Sequence, residues 1–167
     1  CQDRQGVDTV LRGLFVTGTD TGVGKTVAAA ALLHRYRADV PLRYWKPIQT
    51  GIEHDDDTAE VGRLGACRPC EVLSSGVRLA HPVSPHLAAR LSRYTIRLQP
   101  LVDSVLAEAG PWIVEGAGGV LVPLNDSEMI ADLITLLGLP VVVVARTDLG
   151  TINHTLLTLE ALRRRSL

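Results

Sequence analysis

Several features are scarce in this sequence, and each shortage narrows what the protein can be. Aromatic residues make up only 4% of the 167 residues, so Leu, Val, Ile and Ala have to form most of the core. Three cysteines are too few for a disulfide framework. No apolar run approaches the ~20 residues of a membrane-spanning helix, and the net charge of -1 offers no basic surface for nucleic acid.

The remaining composition is that of an ordinary globular chain. Hydrophobic residues make up 46% and charged residues 21%, and the length favours one domain over residues 1–167. A secretory leader has a basic segment followed by an apolar segment. Residues 1–8 are polar instead, so such a leader is not expected there. A cytoplasmic protein without membrane or nucleic-acid partners is the default expectation.

Lysine is the scarcest charged residue, with two lysines against fifteen arginines. Lys25 lies in the segment GTDTGVGKT, which begins at Gly18, and Lys46 lies in WKPIQTG, which ends at Gly51. Lysine carries a compact charge on a flexible stem, whereas arginine carries a planar fork. A charge that has to fit between the oxygens of a polyphosphate favours lysine, so both lysines are candidate catalytic residues of a nucleotide enzyme.

Short β-rich runs alternate with longer helical patterns along the chain. Strands are predicted at 14–16, 42–46, 112–115 and 140–145, helices at 26–37, 57–64, 85–91, 98–109, 129–137 and 151–165, and an irregular stretch at 68–85. Apolar strands that alternate with helices predict an α/β fold, a three-layer parallel sheet with helices on both faces. Ligands bind at the carboxyl ends of such strands, where Lys25, Lys46, Glu115 and Asp148 are expected.

The first strand, a glycine-rich turn and a helix that opens with Gly24-Lys25-Thr26 predict a phosphate-binding loop. The common pattern has glycine where Thr19 stands, and this chain has it one place earlier, at Gly18. The loop is therefore a variant of that pattern. The predicted nucleotide-binding residues of the loop are Thr21, Gly22, Val23, Gly24, Lys25 and Thr26.

Triphosphate chemistry requires a hard cation such as Mg²⁺, and hard cations bind oxygen ligands. Thr26 is expected to present its hydroxyl to the metal. Glu115 follows three apolar residues, where a charge is costly unless it is paired. A third ligand is expected from the run Asp55-Asp56-Asp57: Asp57 is the preferred candidate, and the choice between Asp56 and Asp57 stays open.

Four segments together resemble the successive motifs of the dethiobiotin synthetase family, whose fold is similar to that of P-loop NTPases. They are Gly18–Thr26, Lys46–Gly51, Val114–Gly119 and Leu149–His154. The resemblance implies a ligase that uses ATP and Mg²⁺ to convert 7,8-diaminononanoate and CO₂ into dethiobiotin. It also implies a substrate carbamate, which ATP converts into a carbamic–phosphoric anhydride.

The resemblance extends to individual positions. Lys46 and Thr50 would face the carbamate, Glu115 and Gly118 would also contact the nucleotide, and Gly118 and Gly119 would let substrate approach the backbone. Gly150, Thr151 and Asn153 would bind the substrate carboxylate from the neighbouring subunit, which implies a homodimer with shared sites. The family continues past Leu167 with further strands and helices, where contacts to the nucleotide base are expected.

The sequence also leaves two alternative functions open. A partner-regulated ATPase switch of the MinD/ParA type shares such a sheet, but it carries a further lysine where this chain has Asp20. A non-catalytic module that kept the fold is a second alternative. The roles of Gly22, His86 and the pair Cys67 and Cys70 are not determined by the sequence, and His154 is expected to pack or cap rather than catalyse.

Overall fold

The structure is a computed structural model that describes residues 12–167, so the expectation about residues 1–8 lies outside the described residues. The strands are β1 (Gly13–Gly18), β2 (Arg43–Trp45), β3 (Ile48–Thr50), β4 (Val72–Leu73), β5 (Val77–Leu79), β6 (Trp112–Gly119) and β7 (Val141–Val144). The helices are α1 (Lys25–Tyr36), α2 (Asp57–Leu64), α3 (Pro85–Leu91), α4 (Leu98–Leu106), α5 (Ile130–Leu137) and α6 (Thr151–Arg163).

The main sheet confirms the predicted parallel α/β architecture. Its strand order is β4-β2-β6-β1-β7, and every neighbouring pair is parallel. Phe15 of β1 lies opposite Val114 of β6 on one side and Val141 of β7 on the other. Because the strands are parallel, their carboxyl ends lie along one edge of the sheet.

Side chains alternate between the two faces of the sheet and form two separate apolar clusters. On one face, Val16, Tyr44 and Ile113 pack with Ala30 and Leu33 of α1. On the other face the cluster contains Phe15, Trp45, Trp112 and Val114, together with buried residues of α3, α4, α5 and α6. Four of the six aromatic residues, Phe15, Tyr44, Trp45 and Trp112, are thus fully buried in the sheet, whereas Tyr36 and Tyr94 are exposed.

The prediction missed the short strands. Pro47 ends β2 as expected, but the chain resumes as β3, which pairs with β5 in a separate two-stranded parallel sheet. The stretch 68–85, predicted as irregular, contains a short 3₁₀ helix, β4 and β5. Strands of two or three residues are too short to show a period of two in the sequence.

Several boundaries also differ from the prediction, three of them as follows. Strand β6 continues from Glu115 through Gly119, so the predicted glycine turn begins later. Helix α4 ends at Leu106 rather than at 109, and α6 ends at Arg163 rather than at 165. Among the helices of residues 12–167, none is long and apolar enough to cross a bilayer.

Candidate functional site

The phosphate-binding loop joins β1 to α1. Gly18 is closely packed, since a Cβ there would lie 2.7 Å from the Val23 side chain and 2.9 Å from the Asp20 carbonyl oxygen. Gly24 caps α1 with φ of 98°, a left-handed conformation that favours glycine. The displaced glycine of the variant loop is therefore required by packing, and the left-handed Gly24 leads directly into the N-terminus of α1.

Lys25 is the first residue of α1, and its Nζ donates to the backbone carbonyl of Asp20 at 2.9 Å. The side chain is almost fully buried. Burial, together with the nearby positive charge of Lys46, lowers the pKa of the Lys25 ammonium group. The loop thus contains a buried cation that an anionic group would stabilise.

Glu115 lies within β6, opposite Val16 of β1, and its side chain is fully buried. Its Oε1 is 2.8 Å from Lys46 Nζ and accepts a hydrogen bond from Thr26 Oγ1 at 3.1 Å. Its Oε2 accepts a hydrogen bond from the Tyr44 hydroxyl at 2.9 Å. These contacts compensate for the cost of burying the carboxylate.

Two aspartates of the acidic run at the start of α2, Asp56 and Asp57, have different roles. Asp57, the first residue of α2, places Oδ2 at 2.5 Å from Lys46 Nζ, and its Oδ1 lies 3.0 Å from Thr26 Oγ1, whose one hydroxyl proton it shares with Glu115. Asp56 is the N-cap and accepts from the backbone amides of Thr58 and Ala59. Asp57 therefore faces the cleft, and Asp56 stabilises the start of the helix.

Thr26, Asp57 and Glu115 form a set of hard oxygen donors. Among residues 12–167 there is no group of three or more His, Cys, Asp or Glu side chains arranged for a metal. Mg²⁺ suits this donor set, because it typically binds one or two carboxylates and takes its other ligands from water and substrate phosphates.

These groups line a cleft of about 700 Å³ at the carboxyl edge of the sheet. The predicted site residues that line it are Thr21, Gly22, Gly24, Lys25, Thr26, Lys46, Thr50, Asp57, Glu115 and Gly118. Two predicted site residues, Val23 and Gly119, are not part of the lining that residues 12–167 provide. The Val23 side chain packs beside Gly18 instead.

The predicted carboxylate-binding segment lies outside this cleft. Gly150, Thr151 and Asn153 are not part of the lining that residues 12–167 provide. Thr151 Oγ1 donates to the backbone carbonyl of Arg146 at 2.7 Å, which anchors the start of α6 to the segment after β7. Ile152 and Asn153 face outward and are exposed.

The sequence did not identify two contacts of the site. Tyr44 reaches Glu115 from β2, and burial together with the charge of Glu115 raises the pKa of its hydroxyl well above the usual range, so it remains a donor. Arg146 Nη2 lies 2.5 Å from Asp20 Oδ2 in the phosphate-binding loop. Tyr44 stands two residues before Lys46, and this period-two spacing could have placed both side chains on one face.

The residues whose roles the sequence left open occupy distinct environments. His86 is half-buried, and its Nδ1 lies 3.2 Å from Ser84 Oγ, while Ser84 and Pro85 line the cleft. His154 is exposed on α6. Gly22 has φ of 70°, so another residue at that position would adopt a strained backbone.

The two described cysteines are free thiols that contribute no side chain to the cleft. Cys67 is partly buried beside the cluster that contains Val61, and burial raises the pKa of its thiol. Cys70 is exposed. Burial of Cys67 fits the expected structural or incidental role, because a raised pKa keeps a thiol unreactive.

Comparisons with known proteins identify relatives of the chain. Residues 12–167 match the AAA domain family. The chain is 49% identical over 154 residues to the ATP-dependent dethiobiotin synthetases BioD of Brucella ovis, Brucella canis and Brucella abortus (strain S19). Each of these alignments covers 92% of this chain and 70% of the relative.

Proposed function

The chain belongs to the ATP-dependent dethiobiotin synthetase family, whose members are ATP-dependent ligases, and we propose that its cleft forms dethiobiotin from 7,8-diaminononanoate and CO₂. The observation that carries the proposal is the position of Lys46. Its ammonium group contacts Asp57 at 2.5 Å and Glu115 at 2.8 Å, in the cleft that also contains the phosphate-binding loop. A cation beside the metal-binding oxygens suits the transfer of a phosphoryl group to an anionic substrate.

In the proposed reaction, one substrate amine adds to CO₂ and loses a proton, which gives a carbamate. A carbamate oxygen then attacks the γ-phosphorus of ATP, ADP leaves, and a carbamic–phosphoric anhydride forms. The second amine attacks the carbonyl carbon and loses a proton, and phosphate leaves as the cyclic urea closes. The substrate supplies every nucleophile, so the protein has to position groups and neutralise charge.

The phosphate-binding loop is the proposed nucleotide site. Backbone amides at the start of α1 face the phosphates, and Lys25 exchanges its contact with the Asp20 carbonyl for a phosphate oxygen. Thr26, Asp57 and Glu115 would hold Mg²⁺, which would neutralise charge on the phosphates. Glu115 and Gly118 complete the proposed nucleotide contacts.

The carbamate would lie between Lys46 and Thr50, which line the same cleft. Gly118 has φ of 69° and lines the cleft, which supports close approach of a substrate to the backbone there, with Gly119 beside it.

A homodimer with shared sites is part of the proposal. Ile152 and Leu156 are exposed apolar residues at helical spacing on α6, and Leu149 is exposed just before the helix begins. A second copy of the chain would bury them and bring the α6 N-terminus, with Gly150, Thr151 and Asn153, to the partner's cleft. The free amides of that N-terminus suit a substrate carboxylate.

The decisive experiment measures phosphate release and dethiobiotin formation with ATP, Mg²⁺, bicarbonate and 7,8-diaminononanoate. Phosphate release is expected only when the diamine and bicarbonate are both present, and reactions that lack one component serve as controls. A partner-regulated ATPase would not respond to the diamine. Absence of dethiobiotin in the complete reaction would overturn the assignment. Cytoplasmic location and base contacts from the family's further segments stay predictions.

A further inference from the structure

Tyr44 holds one oxygen of Glu115 inside the core, and the other oxygen lies beside the cleft. The Tyr44 hydroxyl donates to Oε2 at 2.9 Å, while Oε1 faces Lys46 and Thr26. Both Tyr44 and Glu115 are fully buried. The two carboxylate oxygens therefore have different surroundings, one inside the core and one beside the cleft.

Glu115 can rotate little without losing this arrangement. Tyr44 belongs to the apolar cluster with Val16, Leu33 and Ile113, which encloses its ring. Turning Oε2 toward the cleft would break the bond to Tyr44 and leave a buried hydroxyl without its partner. Glu115 is consequently held as a ligand that offers one oxygen to the cleft.

The number of oxygens offered affects which cation binds. Mg²⁺ requires near-octahedral geometry with compact ligands, whereas Ca²⁺ accepts six to eight oxygens and often takes both oxygens of one carboxylate. We propose that Tyr44 is a specificity-determining residue for the metal, because it holds Glu115 as a one-oxygen ligand and so favours Mg²⁺ over Ca²⁺. The inference rests on the metal site of the proposed function.

The test compares the affinity of the purified protein for ATP in the presence of Mg²⁺ and of Ca²⁺ by titration calorimetry. Each metal is also titrated into ATP alone as a reference. The wild-type protein is expected to bind ATP more tightly with Mg²⁺. In Tyr44→Phe, which removes only the hydroxyl, the affinity with Mg²⁺ should fall roughly tenfold, as for other changes behind a metal ligand, and the preference should shift toward Ca²⁺.

Trp45→Phe is the matched control. Trp45 is the next residue of β2, is fully buried on the opposite face, and donates through Nε1 to the Ser75 carbonyl at 2.9 Å. The control should lower thermal stability and leave the Mg²⁺/Ca²⁺ preference unchanged, which separates metal selectivity from a general loss of packing.

Two outcomes would overturn the inference. One is an unchanged preference in folded Tyr44→Phe. The other is a wild-type protein that binds ATP equally well with both metals, a result that needs no variant and so decides the question even if Tyr44→Phe does not fold. These measurements use no diamine, so failure to form dethiobiotin would refute the proposed function without deciding this inference.

Discussion

Lys46 connects the two carboxylates of the proposed metal site. Its Nζ lies within 2.8 Å of oxygens from two different elements, Asp57 of α2 and Glu115 of β6. The side chain is only 3% exposed, so these contacts are shielded from water and are stronger than a surface pair. A small change in the shape of this cation should therefore have a large effect on turnover.

Lys46→Arg is expected to fold and to bind ATP while losing most turnover. A planar guanidinium is larger than an ammonium group and cannot occupy the same space between the two carboxylates. The kcat should fall by about 10² to 10³, the scale for loss of one oriented charge in a closed site. Steady-state phosphate release, with ATP affinity measured separately, checks this; near-normal kcat would contradict the role of Lys46.

Asp56 and Asp57 provide a matched pair of adjacent carboxylates. Asp56→Ala removes the cap of α2 and should lower the free energy of unfolding by ~1 kcal/mol, with little effect on the affinity for Mg²⁺. Asp57→Asn keeps the cap and should weaken Mg²⁺ binding to the ATP complex. Thermal unfolding and metal titration of both variants check the assignment, and the reverse pattern would refute it.

At the scale of elements, the phosphate-binding loop is tied to the β7–α6 connection. Asp20 Oδ2 lies 2.5 Å from Arg146 Nη2, and Asp20 Oδ1 accepts from the Thr21 amide at 2.7 Å. The Arg146 carbonyl in turn accepts from Thr151 Oγ1. The start of α6, proposed to reach the partner's cleft, is thus linked to the chain's own nucleotide loop.

Breaking this link should weaken the binding of ATP more than it lowers kcat. Arg146→Met is expected to raise the Kd for ATP about fivefold, which corresponds to ~1 kcal/mol for a well-formed exposed pair. Asp20→Asn should have a similar effect, and the double variant should be no worse than either single variant. Fluorescence titration with ATP provides the measurement.

The control for this link is Arg164→Met. Arg164 forms an exposed pair with Glu160 at 2.6 Å on α6, far along the sequence from the loop. Arg164→Met should leave the Kd for ATP unchanged. Additive effects of Arg146→Met and Asp20→Asn would show that the two residues act independently, contrary to the inference.

At the scale of the whole molecule, several of the exposed apolar residues lie close together on α6. Ile152 is 75% exposed and Leu156 is 59% exposed, on a helix whose inner side buries Ala161 and Leu162. A helix that is apolar on an outer stripe suits a protein interface. This distribution supports the proposed dimer.

Ile152→Glu is expected to give a monomer with little activity, because a buried charge at the proposed interface is costly and each cleft would lose the partner's α6. Leu136→Glu on α5, at a leucine that is 46% exposed, is the control and should keep the wild-type mass and turnover. Light scattering after size exclusion gives the mass, and phosphate release gives the activity. A fully active Ile152→Glu monomer would exclude shared sites.

The sequence predicted the long elements and the residues at their ends, because these depend on local pattern. The apolar strand before Gly18, the helix after Gly24 and the buried charge at Glu115 are all local signals. The strands β3, β4 and β5 were missed, since two or three residues carry no period and are formed only by pairing with neighbours.

What the sequence predicted by itself is that its two lysines belong to one site, since scarcity, motif and position at strand ends are properties of the chain order. Tertiary structure alone decided what Lys46 contacts: Asp57 and Glu115 come from separate elements that only the parallel sheet brings together. It likewise decided the contacts of Tyr44 and Arg146, whose partners lie 71 and 126 residues away. Contacts over such separations depend on packing of the complete sheet, which no local pattern encodes.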